Sequence, residues 1–301
     1  MQLQRYLVGM ASLIGVATSI LVSTVAFTAE EAVPLAAIER MGDSLAGRSV
    51  VREEDLAGAV QTRAGTSLRD LYRSVVRAVP LVVAPDGTGS AIVIHVDPAD
   101  SSALVITNHH VVEKTFKNEQ GTPFVLALFY DRQLAGEPFN SEQFVSCVKS
   151  QEKTPWCEAL RRSLRTAWVL GTDPARDLAL LKVINVPSDV KPIRDATIDT
   201  VEPGDDVAVV GHPKGLVWSL TQGIVSAVRT KFPMGSSQGT VIQTQTPIAP
   251  GNSGGPLLTL EGRLVGVITW QLRGEQGLNA AVAINEVQGF VSELAAKPRK
   301  P

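Results

Sequence analysis

The sequence predicts an all-β fold closed into a barrel or a pair of barrels. Three observations carry this. From Leu81 onward the apolar residues fall in short runs with a period of two. Gly, Pro, Asp and Asn cut those runs at close intervals. A chain of 301 residues, 44 % of them hydrophobic, is long enough to fill a sizeable core. So many short strands at such spacing argue for a closed β architecture.

At the N-terminus, Leu7 to Phe27 carries no charge, with Arg5 before it and Glu30 and Glu31 after it. At about 1.5 Å per residue the run is long enough to cross a hydrocarbon core of about 30 Å. Thr24-Val25-Ala26 also offers the small residues a signal peptidase reads. Residues 1–28 therefore read as a signal peptide or a signal anchor, and Arg5 places the remainder of the chain on the far side of the membrane. Residues 29–73 form an arm, partly helical. Ser67 and Asp70 make an S-x-x-D capping box. Leu68, Leu71, Tyr72, Val75, Val76 and Val79 then repeat at helical spacing until Pro80. Strands are predicted at 81–84, 91–96, 103–107, 124–130, 178–183, 206–210, 216–228, 240–245, 256–259, 263–270 and 278–284. A last helix is expected from Asn285, capped with Gln288, burying Phe290, Val291 and Leu294. Lys297, Arg299 and Lys300 make residues 296–301 a basic, solvated tail.

Residues 131–166 interrupt the strand rhythm and read as an inserted loop with one helix starting at Thr154-Pro155. Arg161, Arg162 and Arg165 read as a solvated face. In the oxidising space beyond a membrane, Cys147 and Cys157 are expected to pair as a staple worth on the order of 3 kcal/mol.

Composition excludes several functions. A net charge of −2 argues against nucleic-acid binding by bulk positive charge. Two cysteines rule out a four-cysteine zinc site, and His109 and His110 lack H-E-x-x-H spacing, so no metal is expected. No phosphate loop or nucleotide fingerprint occurs, and no cofactor is implied. His95, within an apolar run, and His212, in a Gly/Pro turn, read as structural.

Three places carry chemistry. Pro250-Gly251-Asn252-Ser253-Gly254-Gly255-Pro256 is a glycine-rich turn that exposes a serine. Its glycines let the N–H groups of Gly251 and Ser253 aim at one spot, as an oxyanion hole requires. The same pattern also describes a plain Gly/Pro turn. Thr107-Asn108-His109-His110-Val111-Val112 supplies an imidazole able to take a serine proton, and on an extended segment only one of the two rings faces it. Asp177, at the mouth of Leu178–Val183, can hold an imidazole tautomer or be an ordinary turn residue.

Taken together, these motifs resemble the trypsin-like serine proteases of the HtrA/Deg type. Thr107 to Val112 matches T-N-x-H-V-V, Asp177 to Leu181 matches D-L-A-[VL]-[LI], and Pro250 to Pro256 matches P-G-N-S-G-G-P. Gly87-Thr88-Gly89-Ser90-Ala91, Gly211-His212-Pro213-Lys214-Gly215 and Thr221 to Ser226 match further turns and strands in the same order. The resemblance spans about residues 74–294 and implies two packed six-stranded β-barrels, with a protease domain over 74–295. It assigns Ser253 as nucleophile, His110 as base, Asp177 as its orienter, and Gly251 and Ser253 as oxyanion donors.

Polypeptide substrate is expected to lie along Ile268-Thr269-Trp270-Gln271, with Ala280 and Ala281 lining the pocket for the side chain before the cut. Pro247, six residues before Ser253, leaves no acidic pocket floor, so a small or medium apolar side chain is expected there. Asn252 replaces the aspartate that pairs with a freed N-terminus in digestive trypsins, and no zymogen activation sequence appears. No length is expected to remain for the PDZ domain of many relatives. Many relatives form trimers, but no motif here specifies a homo-oligomer. A catalytically silent peptide-binding or scaffold protein on the same barrels is the alternative.

Overall fold

The computed structural model describes residues 67–150, 152–235, 237–271 and 278–296. The uncharged run expected to target a membrane, most of the arm and the basic tail fall outside the described residues. Among the described residues no helix is long and apolar enough to cross a membrane.

Helix α1 (Leu68–Val75) opens on the expected cap: Ser67 Oγ accepts the Asp70 N–H at 3.2 Å and donates to the Asp70 carboxylate at 2.7 Å. Its apolar stripe buries Leu71 and Val75, which lie within 3.4 Å of the position a Cβ on Gly262 would take. The chain then enters β1 (Leu81–Ala84), and on the way the Val79 carbonyl accepts the Trp218 indole N–H at 2.9 Å.

The first sheet runs β1-β6-β7-β8-β4-β3, where β3 is Ile92–Asp97, β4 Ser102–Thr107, β6 Pro123–Leu128, β7 Leu164–Asp173 and β8 Leu178–Val183. Two short strands attach to it, β2 (Gly87–Ser90) on β1 and β5 (Phe116–Lys117) on β6. The Ala91 N–H bonds to the Pro80 carbonyl at 3.0 Å, drawing the approach to β3 onto the approach to β1 as the sheet curls. Antiparallel pairing sets Thr107 opposite Ala179, so the end of β4 lies beside the start of β8. This register brings the segments holding His110 and Asp177 to the same rim.

The second sheet is a closed barrel of six strands, β10-β11-β14-β13-β12-β9. These are β9 Asp206–Gly211, β10 Ser219–Met234, β11 Ser237–Thr244, β12 Pro256–Thr259, β13 Leu264–Gln271 and β14 Asn279–Ala283. Val209, Val225, Ile242, Leu257 and Val265 fill its interior. The serine turn joins β11 to β12. The chain is therefore mostly β-strand in two curled sheets, the double-barrel arrangement expected from the sequence.

Several local expectations are corrected. Residues 164–166, assigned to the insertion, begin β7, a strand not foreseen. It is half-exposed along most of its length and bulged between Val169 and Gly171, so it lacks an apolar signature. The insertion holds two helices, not one. In α2 (Ser141–Lys149), Asn140 Oδ1 caps the Gln143 N–H at 3.0 Å. In α3 (Pro155–Ser163), Thr154 Oγ1 caps the Cys157 N–H at 3.2 Å. The expected disulfide between Cys147 and Cys157 joins them, with a Cα–Cα distance of 5.1 Å.

Arg161 and Arg162 are exposed, as expected of a solvated face, and all three arginines also serve as tethers: Arg161 donates to the Glu152 carbonyl, Arg162 to the Asp131 carboxylate at 2.7 Å, and Arg165 to the Asn185 carbonyl. Helix α4 (Ile284–Ala296) starts at Ile284 without the Asn285–Gln288 box. Asn285 bonds Thr240 Oγ1 instead, and Gln288 bonds Asp195.

Candidate active site

After β4 the chain turns at once, the Val112 N–H bonding to the His109 carbonyl at 3.0 Å. His109 and His110 thus sit in a turn and not on the extended segment expected of them. Opposite, Asp177 holds a left-handed backbone, φ 54°, which a short polar side chain tolerates better than most. Asn108 Nδ2 donates to its carbonyl at 2.9 Å, and the His110 N–H donates to its Oδ1 at 3.0 Å. His110 Nδ1 lies 2.8 Å from Oδ2, and Thr269 Oγ1 donates to that same oxygen at 2.6 Å.

Burial pushes the Asp177 carboxyl up, but hydrogen bonds from the His110 ring and Thr269, the imidazole charge and the His110 N–H outweigh it. The net effect holds Asp177 below the ordinary carboxylate value. An ionised carboxylate only accepts, so the ring nitrogen that faces it, Nδ1, carries a proton. The His110 side chain is 47 % exposed against 26 % for Asp177, so the imidazole is the more accessible of the pair.

The serine turn is set by bonds on its far side. The Pro250 carbonyl accepts the Lys214 N–H at 2.8 Å, and the Asn252 carbonyl accepts the Gly255 N–H at 2.9 Å. A trans peptide points its N–H opposite its carbonyl, so Gly251 N–H and Ser253 N–H are turned away from these contacts. Neither donates to another group among the described residues. Only glycine fits at 251: φ is 103°, and a Cβ would stand 2.3 Å from the His212 carbonyl oxygen. The Ser253 hydroxyl donates to the Thr269 carbonyl at 3.3 Å, and no hydrogen bond joins it to His110 among the described residues. Thr269 thus links serine and aspartate through its backbone and side chain, a role its place in an apolar strand does not advertise.

The expected substrate edge is shorter than Ile268–Gln271. Ile268 is buried in the barrel, its N–H is taken by the Gly255 carbonyl at 2.9 Å, and its own carbonyl by the Gly254 N–H at 2.8 Å. Beyond β12 the edge of β13 is left from Thr269 through Trp270 to Gln271. Ala281 also departs from expectation: its side chain lies in the barrel core with Ile268, while Ala280, one position along β14, is buried outside that cluster.

A family profile for the trypsin-like peptidase domain matches residues 87–267, more than half of the chain. A probable periplasmic serine endoprotease DegP-like from Pseudomonas fulva is 38 % identical over 138 residues, covering 45 % of this chain and 28 % of that protein. The serine protease Do-like HtrA of Bacillus subtilis is 36 % identical over 143 residues, covering 44 % and 31 %. The chain thus spans about a third or less of the length of the curated relatives it matches. Among solved structures, Deg5 superposes with a TM-score of 0.53 at 25 % identity, covering 79 % of this chain and 94 % of that one. The HtrA-type protease AlgW with tripeptide superposes with a TM-score of 0.56 at 22 % identity, covering 76 % and 64 %. The fold and the matched sequence lead to one assignment: this chain belongs to the trypsin-like peptidase family.

Proposed function

We propose that the chain is a serine endopeptidase acting on extended or unfolded polypeptide through Ser253, His110 and Asp177. One observation supports this above the rest: a single carboxylate oxygen of Asp177 holds both His110 and Thr269, next to a turn with two undonated N–H groups. Rotation of the Ser253 side chain away from the Thr269 carbonyl frees its hydroxyl for His110. The Ser253 oxygen then adds to the scissile carbonyl carbon as His110 Nε2 takes the hydroxyl proton. Gly251 and Ser253 N–H groups receive the carbonyl oxygen as it becomes negative. Collapse breaks the C–N bond, the proton passes from His110 to the leaving amine, and an acyl-enzyme remains. Water repeats the steps in the second half, with Asp177 ionised throughout.

Substrate adds as a strand to Thr269–Gln271, and a small or medium apolar side chain precedes the cut. The setting is extracytoplasmic, in line with relatives named as periplasmic. Residues 7–27 direct the chain across a membrane, then stay as its anchor or are removed. Protein quality control or regulated proteolysis in the envelope is the role that suits such a substrate.

A fluorophosphonate should label the wild type and not Ser253→Ala. The Ser253 hydroxyl bonded to Thr269, and not to His110, favours one competing reading, a catalytically silent peptide-binding protein. Absence of labelling under every condition, with extended peptide still bound, would establish that reading instead.

A further inference from the structure

Ser90, at the end of β2, meets the serine turn and its surroundings with every polar atom it has. Its N–H donates to the Ser253 carbonyl at 2.8 Å. Its carbonyl accepts the Thr107 hydroxyl at 2.7 Å, at the end of the strand that leads to His110. Its own hydroxyl donates to the Gly251 carbonyl at 2.7 Å. That hydroxyl oxygen also lies 2.9 Å from His212 Nδ1. Ser90 is fully buried, as is His212.

The hydrogen-bond directions are forced. A carbonyl cannot donate, so the one Ser90 hydroxyl proton goes to Gly251. His212 must then carry its proton on Nδ1 and donate to Ser90 Oγ, which leaves Nε2 bare. The ring is held in place by Trp218, whose centroid lies 5.5 Å away at 72°. The Trp218 indole is itself fixed on the Val79 carbonyl. Burial keeps this imidazole neutral.

The consequence falls on the oxyanion turn. Gly251, with φ 103°, is the donor residue of the turn whose lack of a side chain gives its backbone the freedom to reorient. The peptide before it is held through Pro250 by Lys214, and the peptide after it through the Gly251 carbonyl by Ser90 and through the Asn252 N–H by the Ala249 carbonyl at 3.0 Å. Releasing the Ser90 bond leaves the following peptide on the Ala249 carbonyl alone and frees the Gly251 carbonyl to swing, carrying the backbone around Gly251 with it.

We propose that Ser90, oriented by His212, is a positioning residue that fixes the Gly251 peptide in the direction an oxyanion hole needs. The inference rests on the peptidase reading above. It gives His212 a part in transition-state stabilisation without contact to substrate.

Variants at the two positions test it. Ser90→Ala should lower kcat by about tenfold to 100-fold with KM within about threefold, short of the about 100- to 1,000-fold cost of losing an oxyanion donor outright. Affinity for a peptidyl trifluoromethyl ketone, which forms a tetrahedral adduct, should fall in step with kcat. Affinity of the same peptide as a plain amide, measured in a Ser253→Ala background, should hold. His212→Asn places an amide N–H where Nδ1 stood and should keep most of the activity. His212→Gln places its amide near Nε2 and should behave like Ser90→Ala. The proposal is overturned if Ser90→Ala stays within twofold of wild type, if plain-amide affinity falls together with kcat, or if the Asn and Gln variants are alike. A wild type that cleaves no peptide and takes no phosphonate overturns the peptidase reading instead. The positioning claim is then read from the Gly251 amide resonance, which Ser90→Ala should displace, and an unmoved resonance overturns it.

Discussion

Thr269 and His110 share one oxygen of Asp177, the hydroxyl at 2.6 Å and the ring nitrogen at 2.8 Å. The aspartate is thereby clamped from two barrels at once, since Thr269 belongs to the closed barrel and His110 to the first sheet. Removing one donor should both loosen the carboxylate and make it less acidic. Thr269→Val keeps the backbone carbonyl that receives Ser253 and deletes only the hydroxyl. The Asp177 titration, followed by carboxyl carbon NMR, should move up toward the ordinary value. Peptidase kcat should fall by about tenfold, the scale of one charge-assisted hydrogen bond of about 1.5 kcal/mol.

Gly251→Ala adds a methyl group that meets backbone, the His212 carbonyl oxygen at 2.3 Å, which has no rotamer by which to retreat. Because φ at 251 is also in the left-handed region, relief requires the peptide to turn. A kcat loss of about 100- to 1,000-fold is expected, as for removal of an oxyanion donor. Ground-state peptide affinity, measured by fluorescence anisotropy, should change far less.

His212 makes stability depend on pH in a defined direction. Burial lowers its pKa to about 3 from 6.5, and its neighbours are the Ser90 hydroxyl and the Trp218 ring edge. Between these values the unfolded chain binds a proton that the folded chain refuses, so unfolding free energy falls as pH drops through this window. The slope from this group reaches at most about 1.4 kcal/mol per pH unit. Asp177 acts lower down: its depressed folded value means its contribution is present above the unfolded value and is lost as pH falls through the folded one. Urea denaturation of wild type and His212→Asn at pH 7 and pH 4.5 should give a smaller pH effect in the variant.

The disulfide between Cys147 and Cys157 should matter locally. Its closed loop is worth about 3 kcal/mol in the chain-entropy model. Helices α2 and α3 are short, and one disulfide joins them. Cys147→Ser combined with Cys157→Ser should therefore raise amide exchange in 141–163 and leave β8 and β13 protected. Equal loss of protection in the barrels would show that the insertion is part of the global unit.

Legibility in the sequence tracked burial on both faces. Strands β1, β8 and β12 occupy the bounds their apolar runs predict because nearly all their residues are buried. Strand β7 escaped notice because polar residues such as Arg165 and Thr166 sit among its half-exposed positions. The caps of α1 and α3 were readable since a cap is a three-residue pattern. The chemical roles of Thr269, Ser90 and His212 were not, because their bonds join positions 92, 161 and 122 residues apart. A serine or threonine in a strand looks the same whether or not a distant partner awaits it. Ile268 misled for the opposite reason: it borders the right edge in sequence, but both of its backbone groups are already taken.

Helix α1 precedes the first sheet in the chain but rests on the β12–β13 turn of the second, and the segment after it is bolted at Val79 to Trp218. A strap of this kind denies the two halves separate lives. Heat should melt them in one cooperative transition, with calorimetric and van't Hoff enthalpies equal. A chain beginning at Leu81 loses this strap but keeps the Asp177–Thr269 and Ser90–Ser253 bonds across the crevice, so it should melt at a lower temperature and still in one step.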